Sequence, residues 1–190
     1  MFNLGSEKDF YGIMDCINEL AMAMYTMPKL TIAAVHGAAA GLGFSLALAT
    51  DCIIAEQESK LAMNFIGIGL IPDGGGHFFL ERRLGELKAQ EVIWEGKVMS
   101  AEQALEIGLV DLVAKNSLED EVQKRVKEWQ AKPIQAMIRT KKILAETNRP
   151  KLLKMLELEK YSQYLMRQTE DHAEGIQAFV EKRKPNFKGK

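Results

Sequence analysis

Apolar residues recur at Phe10, Ile13, Met14, Ile17, Leu20 and Met24, the spacing of a helix with one buried face, and Pro28 predicts where that helix stops. The pattern then changes to continuous apolar runs. Residues 30–35 read as a buried strand and 51–55 as a strand suited to a sheet buried on both faces, with a Gly-rich bend and a short apolar helix over 44–49 between them. Residues 61–71 read as a short strand and a loop punctuated by Gly67 and Gly69. Helices are predicted to start within 74–76 and to cover 87–94, and Ser100 with Gln103 forms a capping box for 101–107, stopped by Gly108. After a strand at 109–113, Asn116 and Glu119 are expected to cap a helix running to about residue 130, while Pro133 and Pro150 each open another. The last helical stretch extends to about residue 184. The expected organisation is an α/β core over residues 1–131 and a helical C-terminal region over 132–190.

A chain of 190 residues that is 47% hydrophobic and 27% charged can bury a core of useful size without staples. Cys16 and Cys52 are its cysteines, which argues against a disulfide scaffold and a structural zinc site and points to a cytoplasmic protein with reduced thiols. Glu7 and Asp9 stand where a signal peptide would need an apolar run. Between Lys29 and Asp51 there are 21 uncharged residues, enough to span a bilayer, but the glycines and polar residues inside the run favour strand, bend and helix over a membrane segment. Charge is uneven: the first 95 residues carry 6 basic and 12 acidic side chains, and the remainder 19 and 14. Solvated helix surface explains most of this, and the basic tail (Lys182, Arg183, Lys184, Lys188, Lys190) is a candidate contact for a polyanionic ligand. Basic stripes interleaved with aromatics are absent, which argues against nucleic acid.

The richest stretch for chemistry runs from His36 to Asp51, HGAAAGLGFSLALATD, directly after a buried strand. Its glycines and alanines let a backbone approach a ligand, and the helix that follows offers free amides to a negative charge. Three families use such a turn. As a dinucleotide loop it would pair with a Tyr-x-x-x-Lys, but Tyr25 to Lys29 contains Pro28 and precedes the loop. As a nucleophile elbow, Gly43-Phe-Ser45-Leu-Ala47 would use His172 as base, yet it does not follow its strand at once. His36 and His77 read as structural histidines, and no spacing suggests metal ligands.

The third reading rests on several ordered blocks. AAVHGAAAGLGFSLALATD, GLIPDGGG, GKVMSAEQALEIGLV and the ending FVEKRKPNF together resemble the enoyl-CoA hydratase/isomerase (crotonase) family over essentially the whole chain. The resemblance implies a crotonase-like (ClpP/crotonase) α/β spiral with C-terminal helices, assembled as a trimer or hexamer, and the apolar residues on the late helices, such as Leu152, Leu153, Leu156 and Leu165, are expected against neighbouring subunits. It implies an acyl-CoA thioester substrate of fatty acid metabolism, so that coenzyme A arrives with the substrate and no cofactor is permanently bound. It also implies an oxyanion hole in which one donor is the Leu42 amide, within a pocket formed by Gly41, Gly43, Ser45, Phe65 and Gly74. The two glutamates that activate water in the family's hydratases correspond to Ser45 and Phe65 here. Asp73 stands where isomerase and dehalogenase branches carry a working aspartate, the alternative for it being a helix N-cap. Family members carry an N-terminal strand-rich segment ending in a Gly-Ala-Asp-type turn, which supplies the second oxyanion amide; the resemblance places Met1 just after that turn, so the expectation is either a fragment or a chain of reduced activity with half the oxyanion hole. The expected activity is double-bond isomerisation of an enoyl-CoA, the alternative being a non-catalytic acyl-CoA-binding or subunit-interaction protein.

Overall fold

In the computed structural model, which describes residues 6–190, β1 (Ile32–Val35) and β2 (Ala38–Ala40) are joined through Gly37, whose φ of 65° carries the chain from one sheet into another. The unit repeats. After α2 (Leu42–Leu48), β3 (Cys52–Glu56) pairs parallel with β1, and β4 (Lys60–Ala62) pairs parallel with β2. Each turn of the chain thus lays one strand in each sheet, which is the spiral expected from the sequence. β5 (Val98–Ser100) completes the second sheet antiparallel to β4, and β6 (Leu112–Ala114) completes the first parallel to β3.

β2 and β5 lie in segments read from sequence as a bend and as an unassigned stretch. Each has three residues, and β2 is three alanines, so neither shows a strand pattern. Their pairing with β4 makes them strands. Residues 30–50, the uncharged run, fold as β1, β2 and α2, and among the described residues no helix is long and apolar enough to cross a membrane.

The helices are α1 (Glu7–Thr26), α3 (Gly76–Leu84), α4 (Glu86–Glu95), α5 (Ala101–Glu106), α6 (Leu118–Gln130), α7 (Ile134–Met166) and α8 (Glu170–Val180), with a 3-10 turn at Asn64–Ile68. Ser6 and Asp9 close a capping box on α1, and Ser100 and Gln103 close the expected one on α5. The cap of α6 is Ser117, whose hydroxyl accepts from the Asp120 amide, rather than Asn116. Pro150 does not open a helix: α7 runs through it for 33 residues, and the missing N–H is tolerated because the flanking turns are packed on the core. The final helical stretch is broken at Thr169, the N-cap of α8, and α8 ends at Val180, where Lys182 takes a left-handed φ of 54°. Residues 1–5 of the stretch tested for a leader lie outside the described residues.

Phe44, Leu48, Ile53, Leu61, Met63, Phe79, Leu80 and Leu109 form the centre of the core, between the sheets and α2 and α3. Leu152 and Leu156 of α7 are buried in the same cluster. They are therefore internal contacts, contrary to the subunit contacts expected of them, whereas Leu153 and Leu165 are exposed.

Candidate active site

The ladder between β2 and β4 runs one step past the strands. The Gly41 amide donates to the Ala62 carbonyl at 2.9 Å, which fixes the turn at the head of α2. Gly41, with φ 55°, is the N-cap, and the Phe44 and Ser45 amides both return to its carbonyl. Leu42 and Gly43 are the first residues of the helix, where amides have no carbonyl of an earlier turn to meet. The Leu42 amide is thus among the helix-start amides that no earlier turn of the helix satisfies. Phe65, in the 64–68 turn, lies over Gly41, its ring 3.5 Å from where a Cβ would stand.

Ile71-Pro72-Asp73 leads into Gly74 and Gly75, whose φ values of 61° and 81° make a tight left-handed turn before α3. That turn lies directly on α2. A Cβ at Gly74 would stand 2.6 Å from Leu42 Cδ1 and 3.5 Å from Ser45 Cβ, and one at Gly76 2.9 Å from Ser45 Oγ. Gly41, Leu42, Ser45, Phe65 and Gly74, read separately from the sequence, therefore come together, with Gly43 exposed beside them.

Asp73 does not cap α3, whose N-cap is Gly75. Its carboxyl is buried, with 8% of the residue exposed. Oδ2 accepts from Gln163 Nε2 at 3.2 Å, while Oδ1 is buried without a hydrogen-bonding partner among the described residues. Burial pushes this carboxyl from 3.8 up to about 6, the Gln163 bond opposes the rise and the Glu159 carboxylate adds to it. The start of α3 does not stabilise Asp73, because Glu159 takes its amides: Oε2 accepts from the Gly75 amide at 2.7 Å, and Oε1 from the His77 amide at 3.0 Å. His77 Nδ1 lies 2.8 Å from the same Oε1, so His77 is a hydrogen-bonded structural histidine as expected, and His36 is exposed. Phe78 and Phe79 pack edge-on against each other and against Tyr25 in the core.

Glu159 and Gln163 escaped the sequence reading. They continue the stripe of Leu152 and Leu156 along α7 at helical spacing, and two polar residues at core positions of an amphipathic helix are the signal that was there to find. The elbow reading fails on geometry. Ser45 is fully buried, its hydroxyl directed at the Gly41 carbonyl and Met63 Sδ, and His172 Nδ1 instead lies 2.7 Å from the Ile68 carbonyl. Among the described residues no cluster of His, Cys, Asp or Glu is arranged to hold a metal ion.

The family model for enoyl-CoA hydratase/isomerase matches residues 6–190. The chain belongs to the enoyl-CoA hydratase/isomerase family. It is 49% identical over 185 residues to the Bacillus subtilis protein YhaR, named for the same family, covering 96% of this chain and 72% of YhaR. It is 38% identical over 176 residues to the 1,2-epoxyphenylacetyl-CoA isomerase of Escherichia coli, covering 91% of this chain and 66% of that enzyme. The crystal structure of an enoyl-CoA hydratase from Mycobacterium avium subsp. paratuberculosis superposes with a TM-score of 0.87 at 32% identity, over 94% of this chain and 73% of that one. As an enoyl-CoA hydratase/isomerase family member, the chain has the crotonase fold, and it spans roughly two thirds to three quarters of the length of these relatives.

Proposed function

We propose that this chain moves the double bond of an enoyl-CoA thioester, with Asp73 as the single base and the Leu42 amide as an oxyanion donor. The observation that carries the reading is the buried Asp73 carboxyl, raised to about 6, with one oxygen unpartnered among the described residues, directly before the Gly74–Gly75 turn that packs on α2. A base poised near the working pH both takes and returns a proton efficiently. The two positions that carry water-activating glutamates in hydratases of the family are Ser45 and Phe65, neither of which takes up a proton at neutral pH. The trans-2-decenoyl-[acyl-carrier-protein] isomerase of Streptococcus mutans, 31% identical to this chain over 182 residues, is named for an isomerisation of an enoyl thioester, which supports the same reading.

The chemistry balances without water or a redox partner. Asp73 removes a proton from the carbon between the thioester and the double bond. The electron pair delocalises into the thioester oxygen as a dienolate, whose charge the Leu42 amide stabilises. The protonated carboxyl then returns the proton at the far end of the former double bond, leaving a conjugated 2-enoyl thioester of the same composition.

The test is Asp73→Asn, assayed on trans-3-hexenoyl-CoA by the absorbance of the conjugated product. Turnover is expected to fall about 10²–10⁴-fold with thioester affinity little changed. Normal turnover with asparagine would remove the mechanism. Tight thioester binding by a wild-type chain that never turns it over would instead favour an acyl-CoA-binding protein.

A further inference from the structure

We propose that Gln163 is a positioning residue for Asp73, pinning Oδ2 so that Oδ1 is the oxygen that carries the proton during the reaction. The inference rests on Asp73 being the base, and it places a determinant of that chemistry on α7, 90 residues along the chain.

Gln163 is itself held on both sides. Its Nε2 donates to the Ile71 carbonyl at 2.9 Å as well as to Asp73 Oδ2 at 3.2 Å, and its Oε1 accepts from the Ile71 amide at 3.4 Å. Both protons of the amide are used, one on the backbone two residues before the base and one on the base. With 3% of the residue exposed, water does not compete for these bonds. The side chain therefore ties the peptide that leads to Asp73 and the carboxyl itself to one rigid point. The two carboxyl oxygens become unequal: Oδ2 is occupied and Oδ1, buried without a partner among the described residues, is left to accept a proton.

The same bond sets when the carboxyl ionises. A donated N–H favours the charged form, against the burial that disfavours it. The charged group facing Asp73 is Glu159, one helical turn before Gln163 on α7, and it is anchored by the Gly75 and His77 amides and the His77 ring of α3. Against the Asp73–Gly74 turn, α1 and α2 bring Ile17, Leu42 and Ser45, none of which carries charge. Removing the Gln163 donor leaves burial and Glu159 unopposed, and the carboxyl holds its proton to higher pH.

The experiment compares wild type, Gln163→Met and Gln163→Glu in pH profiles of kcat and KM on trans-3-hexenoyl-CoA. Met fills the same space without a donor. Its acid limb is expected to move up by about one pH unit, and that of Gln163→Glu further, because a second carboxyl then adjoins Asp73. A uniform loss at all pH values, with the limb unmoved, would mean that Gln163 only supports the fold and would overturn the proposal. A second readout needs no substitution at 163. In NMR spectra of the wild type, the Gln163 side-chain amide protons should titrate with a midpoint near 6 and become flat in Asp73→Asn. An amide that never titrates also overturns it. Full turnover by Asp73→Asn would remove the base and this proposal together, whereas an inactive Asp73→Asn beside an unmoved limb in the Gln163 variants would remove this proposal alone.

Discussion

In the proposed reaction Asp73 sets stability against chemistry at a single side chain. The folded state holds its proton up to about pH 6, whereas the unfolded chain releases it near 3.8. Stability therefore falls as pH rises through that window, and above it the fold bears a cost of about 3 kcal/mol. Asp73→Asn is predicted to be more stable than wild type at pH 8 by about 1–3 kcal/mol, with the difference vanishing below pH 4, measured by denaturant unfolding at both pH values. The same carboxyl predicts that isomerase kcat rises with pH along an acid limb centred near 6 in the wild type. Ser45→Ala makes the opposite point. Its hydroxyl is buried and, among the described residues, makes a long 3.5 Å contact to the Gly41 carbonyl and one to Met63 sulfur, so turnover should stay within a few-fold and stability should change by about 1 kcal/mol at most.

At the scale of elements, two helices are placed by close contacts that a methyl group would disturb or a proline already compromises. Gly175 of α8 sits on the 64–68 turn, and a Cβ there would lie 2.7 Å from Ile68 Cα and 2.8 Å from its carbonyl carbon. Neither partner is a movable side chain. Gly175→Ala is predicted to destabilise by about 1–3 kcal/mol, read from the denaturation midpoint. Within α7, Pro150 is exposed and leaves the Glu146 carbonyl without its helical donor. Pro150→Ala restores that N–H and should raise stability by about 1 kcal/mol or more, seen as a higher Tm. An unchanged Tm would show that the packing of Leu152 and Leu156 has already relieved the defect.

The whole molecule leaves Ile143, Leu144, Leu153, Leu158, Tyr161 and Leu165 of α7 between 41% and 66% exposed. One helix with so many exposed apolar side chains predicts self-association, and sedimentation at micromolar concentration should give a multiple of 21.3 kDa. A monomer would refute it. Much of the architecture was legible in local pattern: the apolar spacing of α1, the strands β1 and β3 (of which β3 is buried as read, while β1 leaves Ala34 exposed), the capping box of α5, and the ordered glycine blocks that mark the loop and turn of the site. Those signals lie within a few residues of one another, where periodicity and turn chemistry act. The short strands β2 and β5 were not legible, because three residues carry no periodicity and only the β4 ladder makes them strands. Nor was the unbroken α7, since the preference of proline for a first turn is a local rule that packing of Leu152 and Leu156 overrides. The sequence also brought forward Asp73 but left open whether the helix start or burial would rule its carboxyl. That was decided in three dimensions. Glu159 arrives from α7, 84 residues beyond Gly75, and occupies the amides that would have stabilised Asp73, while Gln163 meets its other side. A sequence states which groups are present at each position, but which of two carboxylates reaches a helix end first depends on distances that exist only after the chain has packed.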